Sequence, residues 1–230
     1  MATSTFINSA SGYTSSTVTS LDCSSTLTLQ TGDLLVAMGT WQSGTSVTGS
    51  IADNAGGNSF IMKGQTNDAV DLSECDGYLI YTGGGGTFTF RLTITGGGGG
   101  YVSIVVLQFR PASGATIAFD SGPSLANNTS SSAIASGTIN TDGGTSDEII
   151  VGIIAKDNNR TYSGEKIAGV AITGFASTTY GRLLYLLDTG GARTGINAVS
   201  TANSNCEWIA DILAFKATGA SGMWLALNRP

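Results

Sequence analysis

The chain has 230 residues, 33 of them Gly, with only 11% charged residues and a net charge of −6. Its ten Lys and Arg are scattered singly and build no basic face. Nucleic acid and anionic membrane are therefore excluded as partners, because both are bound by clustered cations. There is no His, which removes the commonest general base, the usual Ser and Cys triads and most catalytic zinc sites.

Taken in chain order, strand signals recur with Gly, Asn, Asp and Ser between them. The segment 26–29 alternates, and 34–41 is a nearly continuous apolar run that reads as a central strand covered on both faces. Residues 87–94 alternate best: Phe88, Phe90, Leu92 and Ile94 share one face, and Thr87, Thr89, Arg91 and Thr93 the other. Polyglycine runs at 83–86 and 96–100 flank this strand and read as hairpin ends. They lack the following helix and Lys-Ser/Thr of a phosphate loop. The runs 101–109, 148–155, 180–187 and 208–215 read as further central strands. No segment sustains a capped 3.6-residue period or approaches the roughly 20 apolar residues of a spanning helix.

The chain echoes itself. Residues 31–37 resemble 146–152, 77–81 resemble 181–185, and 101–110 resemble 207–216, in the same order. Two similar β halves are implied, about 1–115 and 116–217, followed by a C-terminal arm at 218–230. Each half has too few strands to close a core comfortably. The expected fold is all-β: a single two-sheet antiparallel sandwich of jelly-roll type, spanning 1–217.

The blocks Gly-Asp-Leu-Leu-Val (32–36), Ile-Ala-Asp-Asn-Ala-Gly-Gly-Asn-Ser-Phe (51–60), Tyr-Leu-Ile-Tyr (78–81) and Leu-Gln-Phe-Arg-Pro (107–111) carry a resemblance. So do Asp-Glu-Ile-Ile-Val-Gly (147–152) and Trp-Ile-Ala-Asp-Ile-Leu-Ala-Phe-Lys (208–216). They resemble β-sandwich, jelly-roll-like modules of tailed-phage and prophage structural proteins and bacterial surface proteins. The resemblance implies a packing or binding module and supplies no catalytic residues.

The carboxylates that remain for chemistry are few. Glycoside hydrolysis needs two carboxyls about 5–9.5 Å apart across one cleft. Glu74 and Asp76 share a strand face and form the best-spaced pair, with Glu207 and Asp211 next. The expectation is a solvated strand entrance for Glu74–Asp76, and a strand edge, bulge or hydrogen-bonded position for Asp211. Oxygen-rich segments at 53–58 and 157–159 suit calcium, but the first lacks the alternating order of a dedicated loop, and both read as ordinary turns. Among aromatics able to stack on sugars, Trp41 and Tyr162 are expected to be exposed. Tyr78, Tyr81, Tyr180 and Tyr185 are expected in the core. Cys23, Cys75 and Cys206 have no metal-ligand spacing and read as half-buried reduced thiols.

The arm holds Met223, Trp224, Leu225 and Leu227, an apolar segment with no partner strand, and these are the candidate partner-binding residues. The N-terminus shows no basic or apolar leader pattern. A Ser-, Thr- and Gly-rich surface protein without a leader is met by one made in a host cytoplasm and released by lysis. The expected function is a non-enzymatic virion structural protein, a capsid decoration or cement subunit, with no catalytic residues, cofactor or metal. Its expected partners are copies of itself or a capsid protein, with a glycan as a further candidate. The rivals are a tail or fibre component, a carbohydrate-binding module and, last, a carboxylate glycosidase.

Overall fold

The computed structural model describes residues 4–43, 47–67, 71–142, 147–157, 160–188 and 192–219. It contains no helix among these residues. The first half runs β1 (Ser4–Thr14), β2 (Ser20–Asp22), β3 (Leu27–Leu29), β4 (Leu34–Gln42), β5 (Thr48–Asp53), β6 (Ile61–Asn67), β7 (Leu72–Ile80), β8 (Gly86–Phe88), β9 (Phe90–Thr95) and β10 (Gly100–Pro111). The second runs β11 (Thr116–Ser121), β12 (Ala126–Ala135), β13 (Asp147–Lys156), β14 (Tyr162–Ile167), β15 (Val170–Ala171), β16 (Gly174–Ser177), β17 (Gly181–Asp188) and β18 (Ala198–Thr218).

Four antiparallel sheets form among the described residues where two were expected: β2-β9-β5 and β3-β8 are separate small sheets, and the two large sheets face each other. The first has the order β1-β10-β4-β7-β6. The second carries β18-β13-β17-β16, with β11 and β12 pairing along the outer side of β18. The two orders match strand for strand, so the echo in the sequence is a duplication of topology. Register fixes the equivalences. Val36 lies opposite Leu107 and Tyr78, while Val151 lies opposite Leu213 and Tyr185. Tyr185 is therefore the counterpart of Tyr78. The sequence match of 77–81 with 181–185 had set it against Tyr81 and is corrected by three residues.

Between the sheets lies a core of Leu34, Val36, Leu107 and Phe109 from one side and Ile149, Val151, Leu213 and Phe215 from the other. Its centre repeats one aromatic arrangement twice. Tyr185 stacks on Phe6 at 4.8 Å and meets Phe109 edge-on at 5.4 Å. Tyr78 stacks on Phe119 at 5.3 Å and meets Phe215 edge-on at 5.2 Å. Each tyrosine inserts between two phenylalanines of the opposite half.

The outer faces of both sheets are covered too. Leu35, Ala37, Trp41 and Ile104 pack under Leu27, Phe90 and Leu92, and Ile150, Ile154 and Ile212 pack with Ile134, Ile167 and Ile196. Double coverage is why the central strands read as unbroken apolar runs rather than alternating ones. The alternation read in 87–94 holds for β9, where Phe90, Leu92 and Ile94 are buried. Residues 86–88 form a separate strand, β8, paired with β3.

Because the central core takes eight of its nineteen buried residues from before position 115 and eleven from after it, neither half closes it alone. Fragments 1–115 and 116–230 expressed separately are expected to be insoluble or unfolded by near-ultraviolet circular dichroism. Mixed during refolding, they are expected to recover the native spectrum.

Candidate functional site

Alternation along a strand puts Leu72, Glu74, Asp76 and Tyr78 of β7 on one face, and Ile209, Asp211, Leu213 and Phe215 of β18 on one face. Both faces look into the central core. The two carboxylate candidates therefore converge. Glu74, Asp76 and Asp211 are each 0% exposed, so the solvated entrance expected for Glu74–Asp76 is replaced by full burial. Asp211 is not at an edge, since it sits in β18 between β13 and the segment leading into β12; of the positions expected for it, the hydrogen-bonded one holds.

The backbone holds the cluster from two sides. Asp211 Oδ1 accepts N–H bonds from Ser124 and from Ile212, both at 2.6 Å. Asp76 Oδ1 accepts the Gly64 N–H at 3.2 Å. A Cβ on Gly64 would lie 2.0 Å from Asp76 Oδ2 and 2.8 Å from Asp211 Oδ2. Both oxygens thus converge on one point, and only glycine fits beside them. Both oxygens of Glu74, Asp76 Oδ2 and Asp211 Oδ2 have no donor outside the cluster among the described residues.

Two carboxyls in contact need a proton between them. Glu74 lies against Asp76, and Asp76 against Asp211, close enough for a proton to be shared. Burial raises Glu74 well above the usual carboxylate range, and the charges of Asp76 and Asp211 add to it. Burial also raises Asp76 well above that range, with Asp211 adding. Asp211 rises through burial to about 6, held back by the two N–H bonds it accepts. Such a cluster stores protons. Hydrolysis needs a cleft on the carboxyls. Two surface hollows, one formed by 17–20 with Gly98 and one by Gln30, Thr31 and 110–115, are lined by other residues.

The remaining candidates fall as follows. Glu207 is buried at the start of the core-facing stretch of β18, and its N–H donates to Asp157 Oδ1 at 3.1 Å. Asp53 turns inward and accepts the Gly57 N–H and the Asn58 side-chain amide, so its oxygens close the turn. Asn158 and Asn159 lie outside the described residues. No group of three or more ligating side chains with metal geometry occurs among the described residues. Trp41, expected at the surface, is 0% exposed, because the outer layer of β5 and β9 covers its end of β4. Tyr162 is half-buried with its hydroxyl enclosed, and Lys156 and Arg182 lie over its ring at 4.8 and 4.3 Å. All three cysteines are free and buried, and burial lifts the Cys23 thiol to about 12. Met223, Trp224, Leu225 and Leu227 lie outside the described residues.

The exposed aromatics are ones the sequence reading did not single out. Tyr13 at the end of β1 stacks on Tyr180 at 5.5 Å, and Tyr101 at the start of β10 meets Tyr180 at 5.4 Å. Tyr13 and Tyr101 are about two-fifths exposed, while Tyr180 is buried beneath them. Tyr101 has φ +50°, a conformation that L residues rarely adopt. Its position directly after a five-glycine run was the available signal.

No protein-family model, no curated protein and no solved structure matches the chain.

Proposed function

We propose that the chain is a non-enzymatic structural protein of a tailed-phage virion, a jelly-roll-type sandwich that decorates or cements the shell. The block resemblance and the two-fold repeated sandwich support this reading. The observation that carries it is the pair of equivalent edges. β6 ends one sheet and β16 ends the other, each paired on one side only among the described residues. Ile61 on β6 is 54% exposed and Phe175 on β16 is 52% exposed. An open edge with apolar side chains is a template for another chain. Two such edges on one molecule allow it to bridge neighbours, whether copies of itself or a capsid protein. The arm with Trp224 adds a second anchor in this reading.

Sedimentation velocity over a range of concentrations, alone and with isolated phage shells, tests it. Self-association or shell binding is expected, weakened at least tenfold by Ile61→Lys with Phe175→Lys, and weakened by deletion of 218–230. A chain that stays monomeric and leaves every shell bare overturns the proposal.

The tyrosine cluster favours a second reading, contact with a cell-surface glycan. Tyr13 and Tyr101 offer aromatic faces about two-fifths exposed, both packed on Tyr180. Binding on a glycan array that is lost in Tyr101→Ala, with assembly unaffected, selects this reading over the first.

A further inference from the structure

The two halves pack alike, but one end of their shared core departs from the repeat. Met38 lies between Asp76 and Val105, whereas its counterpart Ile153 lies between Leu183 and Asp211. Asp76 thus takes the place that Leu183 has in the other half, and Asp211 the place of Val105. Likewise Glu74 stands opposite Thr40 where Gly181 stands opposite Ala155. Gly64 and Ala176, which face Asp76 and Leu183, complete the substitution. Leu183 and Val105 are both 0% exposed. The fold therefore has an apolar solution for this packing and uses it once. Packing does not require the carboxyls, and burying unpaired carboxylates is costly.

We infer that Glu74, Asp76 and Asp211 form a proton-binding latch across the seam between the two central sheets, closed while the carboxyls share protons and released when they lose them. Glu74 makes this more than an acidic cluster. It is fully buried, is aimed into the Asp76–Asp211 pair, and has no donor except a proton held within the cluster.

The surroundings offer no substitute charge. From β6, Lys63 stands beside Gly64, but its ammonium lies over the rings of Phe119 at 3.9 Å and Tyr78 at 5.5 Å. From β4, Thr40 is bonded to Ser103 of β10 at 2.7 Å. From β13 the neighbour is Ile153, with Asp157 further along the same face. From β18 itself comes Glu207, and from the segment before β12 the Ser124 N–H. Cys75 points into the outer core. No Lys or Arg among the described residues acts on the three carboxyls.

The sign follows from burial. Unfolded, these groups release their protons near pH 4. Folded, Asp211 holds its proton to about 6, and burial holds the protons of Glu74 and Asp76 well above their unfolded range. The stability they contribute is complete below about pH 4 and is lost as pH rises through the folded values. Each excess proton raises the unfolding constant about tenfold per pH unit. Groups of opposite sign act outside pH 5–8. Asp22 and Asp142 are lowered by Arg91 and Lys216 respectively, so their contribution is lost only in stronger acid. Burial lowers Lys156 to about 8, so its contribution is lost as pH falls through 8 from above 10.5. Asp120 is raised by burial in the same direction as the latch, so a variant comparison is needed.

The test is urea unfolding of the full chain between pH 5 and 8 at fixed ionic strength. The unfolding constant is expected to rise about tenfold or more from pH 5 to 8, the rise that Asp211 alone supplies with a folded value of about 6. Asp76→Leu with Asp211→Val, which copies the Leu183–Val105 pair, is expected to flatten that profile. Glu74→Gln, which removes one carboxyl and keeps the shape, is expected to reduce its slope, and it carries the test if the double variant does not fold. A wild-type rise of less than tenfold overturns the inference, as does an unchanged slope in Glu74→Gln. Restoration of the pH 6 stability at pH 8 by 1 mM calcium, in wild type alone, also overturns it and makes the cluster a cation site.

Discussion

Tyr78→Ala and Tyr185→Ala are each expected to cost about 3–5 kcal/mol, the range for removing a large aromatic from a closed core. The two costs are expected to agree within about 1 kcal/mol. Each ring is nearly buried, stacks on the phenylalanine of the other half's edge strand and meets the phenylalanine of that sheet's neighbouring strand edge-on. Such aromatic contacts add to the area they bury. Tyr81 is the control. It is as buried, but it belongs to the outer core of the first half, against Phe88. Its removal is expected to leave the contact between halves intact. Thermal unfolding checks this: at about 2–4 °C per kcal/mol for a chain of this size, both central variants are expected to melt roughly 6–20 °C lower. A large difference between them would mean that the repeat is one of topology and not of energy.

That comparison marks what the sequence made legible. The apolar runs at 34–41, 101–109 and 148–155 became the central strands β4, β10 and β13, because nothing but double coverage explains an uninterrupted apolar strand. The repeat was legible in the same runs. Its register was not, since matching Gly-x-Leu-x-Tyr by letters placed Tyr185 against Tyr81, and only pairing across Val36 and Val151 placed it against Tyr78. The carboxyl cluster was half legible. Glu74 and Asp76 share parity with Leu72 and Tyr78, and Asp211 with Ile209 and Leu213, so strand alternation alone sends all three inward. The strong general preference of acidic groups for solvent outweighed that signal. Their meeting was beyond the sequence, because it joins strands of two facing sheets. Trp41 misled because a strand end is exposed only where no further layer covers it, and the layer of β5 and β9 does.

Asp33→Ala is expected to be the most damaging single change outside the central core. Asp33 sits in the turn before β4, 0% exposed, and its carboxylate ties the end of β10 to that turn. Arg110 near the end of β10 donates to both oxygens at 2.7 Å, a fork-shaped pair. Gln108 of β10 donates to Oδ2 at 2.7 Å and also to the Thr28 carbonyl at 2.9 Å, which ties in β3. The Gln30 N–H closes the turn on Oδ2 at 2.9 Å. Removing the carboxylate strands a buried amide and a partly buried guanidinium together, and breaking one side of such a pair costs about 3–5 kcal/mol. Asp33→Asn keeps the shape but replaces one acceptor oxygen with a donor facing Arg110, so it is expected to recover only part of that loss. Arg110→Ala is expected to cost less than Asp33→Ala. Arg110 is 28% exposed, and Gln108 and the Gln30 N–H still serve the carboxylate when it is gone. Urea denaturation of the three variants gives the order directly: Asp33→Ala least stable, then Asp33→Asn, then Arg110→Ala. If Arg110→Ala is the worst of the three, the ion pair holds β10 to the turn by itself and the bonds from Gln108 and Gln30 add little.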